Sequence, residues 1–181
     1  MLWTRTVPIP MPREIIKYPN TLLSKRSQEI REITPEIRAL AHDMVEAMYA
    51  RRGVGLAAPQ LGDLRRLIVV DTSSPEERND LKILINPVII HREGIAEEEE
   101  GCLSVVSFLA KVKRAAKVVV NALDLDGNAV ELPGEGLLAI CLQHEIDHLD
   151  GILFLDRISR LKRALYDNKL KKKLKAQKTL D

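Results

Sequence analysis

Between residues 67 and 132 four strand-like runs follow one another with no amphipathic helix to separate them. These are Leu67–Asp71, Leu81–Ile90, Lys117–Leu125 and Ala129–Leu132. Parallel neighbours need long crossovers, usually helical, so strands in such an order pair antiparallel. Asp126-Gly127, between the last two runs, suits a tight hairpin turn, whereas Asn86-Pro87 interrupts the second run. Helical segments lie outside this block. Thr34-Pro35-Glu36 reads as a helix start, with Thr34 as N-cap and Pro35 in the first turn. Ile37, Leu40, Ala41, Met44, Val45 and Met48 then form one apolar stripe, and Gly53 and Gly55 require an end near Arg52. After a break at Gly134–Gly136 a second helix is expected over Leu137–Asp150, stopped by Gly151, and a third from Ile158 onward. The fold class that results is α+β.

The chain length fits one domain, expected to span residues 1–181 with an extended arm over 1–12 and a basic helix or tail over 157–181. Aromatic residues make up only 3%, so the core must be built from Leu, Ile, Val and Ala. Met1–Pro12 carries a lone Arg5 and prolines at 8, 10 and 12, without the apolar stretch of a secretory signal. No apolar run approaches the ~20 residues of a membrane span. Cys102 and Cys141 are too few for a disulfide framework and favour a reducing compartment, so a cytoplasmic protein is expected. Net charge is only +2, but residues 157–178 hold ten Lys or Arg against one acid, Asp167.

The chemistry concentrates in Gln143-His144-Glu145-Ile146-Asp147-His148. Helix positions four apart share a face, so His144 and His148 can grip one cation, and Glu145 can reach a water on it. Asp147 could hydrogen-bond a ligand imidazole or a nearby basic group. A hydrolytic metal of this kind takes three protein ligands and keeps one position open. After His148 the chain has no His, Cys or Glu, and Phe154 stands six residues on, where one protease group places a third His. The third ligand therefore lies upstream or is an Asp. Cys102, Cys141, His42 and His91 are the candidates. Cys102 is the best placed chemically, on an extended stretch where Gly101 permits close backbone approach. Gly53 and Gly55 are too few for a phosphate loop and no Gly-Lys-Ser/Thr follows, so no nucleotide cofactor is expected. Instead they would let a peptide add as a strand beside Val54–Gly55.

Three segments together are similar to the signature motifs of peptide deformylases: Gly53-Val54-Gly55-Leu56-Ala57-Ala58-Pro59-Gln60, Glu100-Gly101-Cys102-Leu103-Ser104 and Gln143-His144-Glu145-Ile146-Asp147-His148. The resemblance spans roughly residues 12–160. It implies antiparallel sheets around a central helix that carries the two histidines. It also implies Cys102 as third ligand and Fe²⁺ as the native metal, with Zn²⁺, Ni²⁺ or Co²⁺ able to substitute. The implied activity is removal of the N-formyl group from formylmethionyl peptides, with Glu145 as base and then acid. Gln60 and the Leu103 N–H would stabilise the developing oxyanion. Val54, Leu137, Ile140 and Cys141 would line the methionine pocket, with Gly55 and Gly101 at its edge. C-terminal helices of relatives can contact ribosomes, which makes ribosomal RNA a candidate partner for the basic tail.

The match departs from the family outside these motifs. Val106 and Leu109 stand where many members have Pro and Arg, and Arg52 replaces a common acid. If that acid normally pairs with the position of Arg114, two positive charges would meet here. The outer peptide cleft is where these departures fall.

Overall fold

The computed structural model describes residues 13–178; the arm expected over residues 1–12 lies outside them. Two sheets form, both antiparallel. Strands β1 (Gly55–Ala57), β2 (Leu67–Val70), β3 (Lys82–Glu93), β6 (Lys117–Leu123) and β7 (Ala129–Glu135) make one sheet in the order β1-β2-β3-β6-β7. Strands β4 (Ala96–Cys102) and β5 (Val105–Arg114) make a separate two-stranded sheet. Three α-helices accompany them: α1 (Pro35–Ala50), α2 (Gly136–Leu149) and α3 (Arg160–Lys178). No described helix is long and apolar enough to cross a membrane.

Side-chain alternation explains why β2 reads as an unbroken apolar run. Leu67 and Val69 face α1, packing with Leu40, Met44 and Met48. Ile68 and Val70 point the other way, against Leu142, Ile146 and Leu149 of α2. A strand covered on both faces has no polar side to show. Helix α2 is in consequence nearly encased, with every residue from Ala139 to Leu149 buried. It is the central helix around which the sheets pack. Its end is set by Gly151 at φ 73°, with Ile152 N–H donating to Asp147 O and Gly151 N–H to His148 O. A side chain at Gly151 would also meet the Ser24 carbonyl oxygen at 2.6 Å. That double bonding pattern closes the last turn on a left-handed residue.

Several local expectations need correction. Asn86-Pro87 does not end its strand: β3 runs through it with a register shift, and Asn86 at φ 50° bonds both Ile30 N–H and Ile30 O. Asn86 and Pro87 fall in the shift between Ile85 and Val88, where the proline's missing N–H takes no ladder bond away. Gly134 lies inside β7, paired with Val118, and is glycine because a Cβ there would come within 3.0 Å of Leu142; only Gly136, at φ 58°, marks the break. The hairpin turn is wider than a two-residue loop, spanning Asp124–Asn128, with Asp124 accepting from the N–H groups of Asp126 and Asn128. On α3 the apolar residues divide between solvent and core. Leu161, Leu165 and Leu174 are exposed, while Tyr166 and Leu170 pack on Phe108, Phe154 and Leu23.

Candidate metal centre

Three elements converge on one point. Helix α2 presents His144 and His148 on one face, their ring centroids 5.0 Å apart. The last residue of β4, Cys102, brings its Sγ to 3.2 Å from His148 Nε2. The ligand atoms of Cys102, His144 and His148 all lie within 4.8 Å of one another. Around a tetrahedral cation with bonds of about 2.3 Å to sulfur and about 2.0 Å to nitrogen, neighbouring ligands stand ~3.5 Å apart. The donor set thus fits a cation of that size. The other upstream candidates fall away. His42 is exposed on α1 beside Glu46, and His91 is exposed on β3 beside Glu93. Cys141 is buried, its thiol donating to Val54 O at 3.4 Å. Burial pushes its pKa well above the ordinary thiol value, and its sulfur is not among the ligand atoms that converge with His144 and His148.

A carboxylate that the sequence reading passed over orients the first imidazole. Glu100 shares a strand face with Cys102, two residues on, and its Oε2 lies 2.8 Å from His144 Nδ1. A proton on Nδ1 would leave His144 Nε2 unprotonated for the cation. Glu100 is itself clamped by Arg114, whose Nε and Nη2 donate to its two oxygens at 2.6 and 2.9 Å. Burial alone would raise the Glu100 pKa, but the bonds from Arg114 and His144 more than offset it and hold it at about 2. Arg114 also donates to Asp147 at 2.5 Å, and Asp147 accepts twice from Arg157. Asp147 therefore binds basic groups rather than a ligand imidazole. The expected clash of Arg114 with Arg52 does not arise, because Arg114 is buried between two acids while Arg52 lies at the mouth of the main cavity. The signal for Glu100 was its place two residues before a ligand on a strand, where side chains share a face.

Glu145, between the ligands, is buried, and its Oε2 has no hydrogen-bond partner among the described residues. Burial pushes its pKa up to about 7, against the lowering influence of His144 and Arg114. Gln60, in the short turn after β1, is fixed by its carbonyl oxygen, which accepts from Ala57 N–H at 2.8 Å. Its amide nitrogen donates to Ser104 Oγ at 3.1 Å and lies 3.6 Å from Cys102 Sγ. Leu103 sits in the turn between β4 and β5, its carbonyl accepting from Lys17 Nζ at 2.5 Å.

Glu145, Gln60, Cys102, Leu103 and His144 open onto one cavity of about 790 Å³, together with Val54, Gly55, Gly101, Leu137, Ile140 and Cys141. His148 closes the centre from behind, almost wholly buried. The sequence reading did not anticipate Val105, Ser107 and Phe108 in that wall. The glycines serve the protein's own packing. A Cβ at Gly55 would strike Cys141 Sγ and Glu145 Oε1, both at 2.6 Å, and one at Gly101 would strike Leu109 Cδ2 at 2.7 Å. Glycine is what lets α2 approach β1, and Leu109 approach β4.

A sulfur-and-imidazole cluster that could hold a cation, open to a cavity and flanked by a carboxyl poised near neutrality, fits a metal-dependent hydrolase of amide bonds. Comparison with known proteins gives the family. The sequence profile of polypeptide deformylases matches residues 12–164. The peptide deformylase of Thermodesulfovibrio yellowstonii is 51% identical over 160 residues, covering 88% of this chain and 97% of the relative. That of Acidobacterium capsulatum is 51% identical over 166 residues, covering 92% and 98%. The crystal structure of a peptide deformylase from Legionella pneumophila superposes with a TM-score of 0.85 at 44% identity, over 92% of this chain and 98% of that one. This chain belongs to the polypeptide deformylase family, enzymes that remove the N-formyl group from N-terminal methionine.

Proposed function

We propose that Cys102, His144 and His148 hold one divalent cation, natively Fe²⁺ with Zn²⁺, Ni²⁺ or Co²⁺ able to replace it, within a single catalytic domain. The observation that carries this reading is a sulfur 3.2 Å from an imidazole 46 residues away, beside a buried carboxylate oxygen with no partner among the described residues. Soft and borderline ligands of this kind accept several metals. When bound, the cation supplies Lewis-acid polarisation and acidifies water.

Glu145 accepts the proton of the attacking water, a task suited to a carboxyl whose pKa stands at about 7, and delivers it to the departing amine nitrogen. Gln60 supports the developing negative charge with its amide N–H, its orientation fixed by Ala57 and Ser104. The Leu103 backbone N–H is the second donor. Val54, Leu137, Ile140 and Cys141 form the apolar wall for the methionine side chain, with Gly55 and Gly101 at the cleft. The substrate backbone adds beside β1, which is an edge strand of its sheet.

The test is formate release from a formyl-methionyl peptide by metal-loaded protein. Glu145→Ala should lower turnover by about 10²-fold or more. Internal cleavage without formate, or no turnover with any of the four metals, would contradict the reading. The exposed lysines of α3 supply a basic face that favours ribosomal RNA. Reversing Lys171, Lys172 and Lys173 to Glu should weaken ribosome binding and reduce its salt dependence; unchanged affinity would exclude that contact.

A further inference from the structure

The main cavity does not end where its methionine pocket does. Ser107, Phe108 and Leu109 of β5 line it on one side and, on the other, line a second cavity of about 360 Å³ between β5 and α3. A distortion of β5 makes this possible. The register passes from Glu100↔Ala110 to Cys102↔Val105, leaving extra residues on β5, with Ser107 at φ 56°. Such a bulge re-aims the side chains beside it. Phe108 turns inward to Tyr166 and Phe154, with ring centroids 4.6 and 6.0 Å away. Leu109, 60% exposed, stays on the ridge over Gly101 and belongs to both cavities.

The second cavity has a definite chemistry. Its far wall is one face of α3, where Lys162, Leu165 and Lys169 follow at helical spacing. Leu165 is 62% exposed, and no acidic residue lines the groove among the described residues. An apolar floor is thus bracketed by two cations and shares the Ser107–Leu109 wall with the substrate cavity.

We propose that this groove holds the substrate chain downstream of the formylated residue, and selects an apolar side chain followed by an acidic one. The inference rests on the deformylase reading of the main site. Leu109 borders both cavities, so a chain that fills the first with about three extended residues, at ~3.3 Å each, meets this ridge next. The fourth residue then reaches Leu109 and Leu165, and the fifth reaches Lys162 or Lys169. Leucine at the fourth position gains apolar burial, while an acid at the fifth gains only the modest attraction of a solvent-exposed pair.

The experiment measures kcat/KM of the metal-loaded full chain on three peptides. One is formyl-Met-Ala-Ser, the second is the same peptide extended by Leu-Glu, and the third is extended by Gly-Gly. The Leu-Glu peptide should exceed the Gly-Gly peptide about 10-fold, chiefly through KM, for burial of one leucine side chain. Leu165→Asp should abolish that preference and leave the tripeptide unchanged, and Lys169→Glu should reverse the part due to the acid. Equal rates on the two long peptides, or a preference that survives Leu165→Asp, would overturn the proposal while leaving the deformylase reading intact. If Leu165→Asp instead dissolves a dimer of the full chain, the groove belongs to a second copy and the proposal falls. Absence of formate from all three peptides would remove the deformylase reading, and the inference with it.

Discussion

The two halves of the proposed metal centre are held differently: the helix by apolar packing, the hairpin by apolar packing of β5 together with buried ion pairs. Helix α2, which carries His144 and His148, is set by apolar packing against β2 and β6. The β4–β5 hairpin, which carries Cys102, is tied to α2 by an ion network running from Glu100 through Arg114 to Asp147 and Arg157. Four acids in a row, Glu97 to Glu100, leave β4 little apolar surface of its own. What the contrast teaches is that the histidine side of the site should tolerate changes that the cysteine side cannot. The same polar links that hold the hairpin also aim His144.

The sharpest way to break this contrast is Arg114→Ala. Removing the shared cation leaves Glu100 and Asp147 buried beside each other without it, and should cost about 3–5 kcal/mol of stability. Metal affinity should fall with it, measured by urea unfolding and by competition with a chelator. Leu142→Ala on α2 should cost a comparable ~2–5 kcal/mol through its cavity and yet leave metal affinity near that of the parent. Equal metal loss in both variants would show that the two halves are not held differently.

Glu100→Gln sharpens the comparison further. It keeps the side-chain shape but weakens the hold on His144 Nδ1 and Arg114, so metal affinity should drop about 10–100-fold. Affinity unchanged by that substitution would mean that Glu100 does not orient the ligand.

A polar link remote from the centre gives the smallest effect. Tyr49 Oη donates to Asp71 at 2.6 Å, between α1 and the strand edge. Tyr49→Phe should cost about 1–2 kcal/mol near neutral pH without touching metal affinity. Burial and the bond to Asp71 raise the Tyr49 pKa from 10.0 to about 12. Because the folded value is the higher one, the contribution is complete below pH 10 and is lost as pH rises through about 12. The stability gap between the parent and the Tyr49→Phe variant should therefore narrow above pH 10; a constant gap would contradict the assignment.

The same division decides what could be read from the sequence. Leu67–Val70, the stripe from Ile37 to Met48 and the buried helix from Ala139 to Leu149 announce themselves because burial imposes apolar periodicity. The hairpin does not. In β4 exposure permits a run of glutamates, so neither strand nor turn was visible there beyond an extended approach to Cys102. Arg114 was misread because its partners, Glu100 and Asp147, lie 14 and 33 residues away and meet it only in the fold. Tyr166 gives no sign of burial in the lysine-rich sequence of α3, yet it is buried there, against Phe108 and Tyr18. Leu109, noted in the sequence as a departure from the family, proves to be the ridge between two cavities.

The proposed centre depends on sulfur from the hairpin joining nitrogen from the helix around one cation. Cobalt substitution tests this directly, because a thiolate bound to Co²⁺ gives a ligand-to-metal charge-transfer absorption. That band should be present in the parent protein and in Cys141→Ser, and absent from Cys102→Ser. A band that survives in Cys102→Ser, or disappears in Cys141→Ser, would contradict the account.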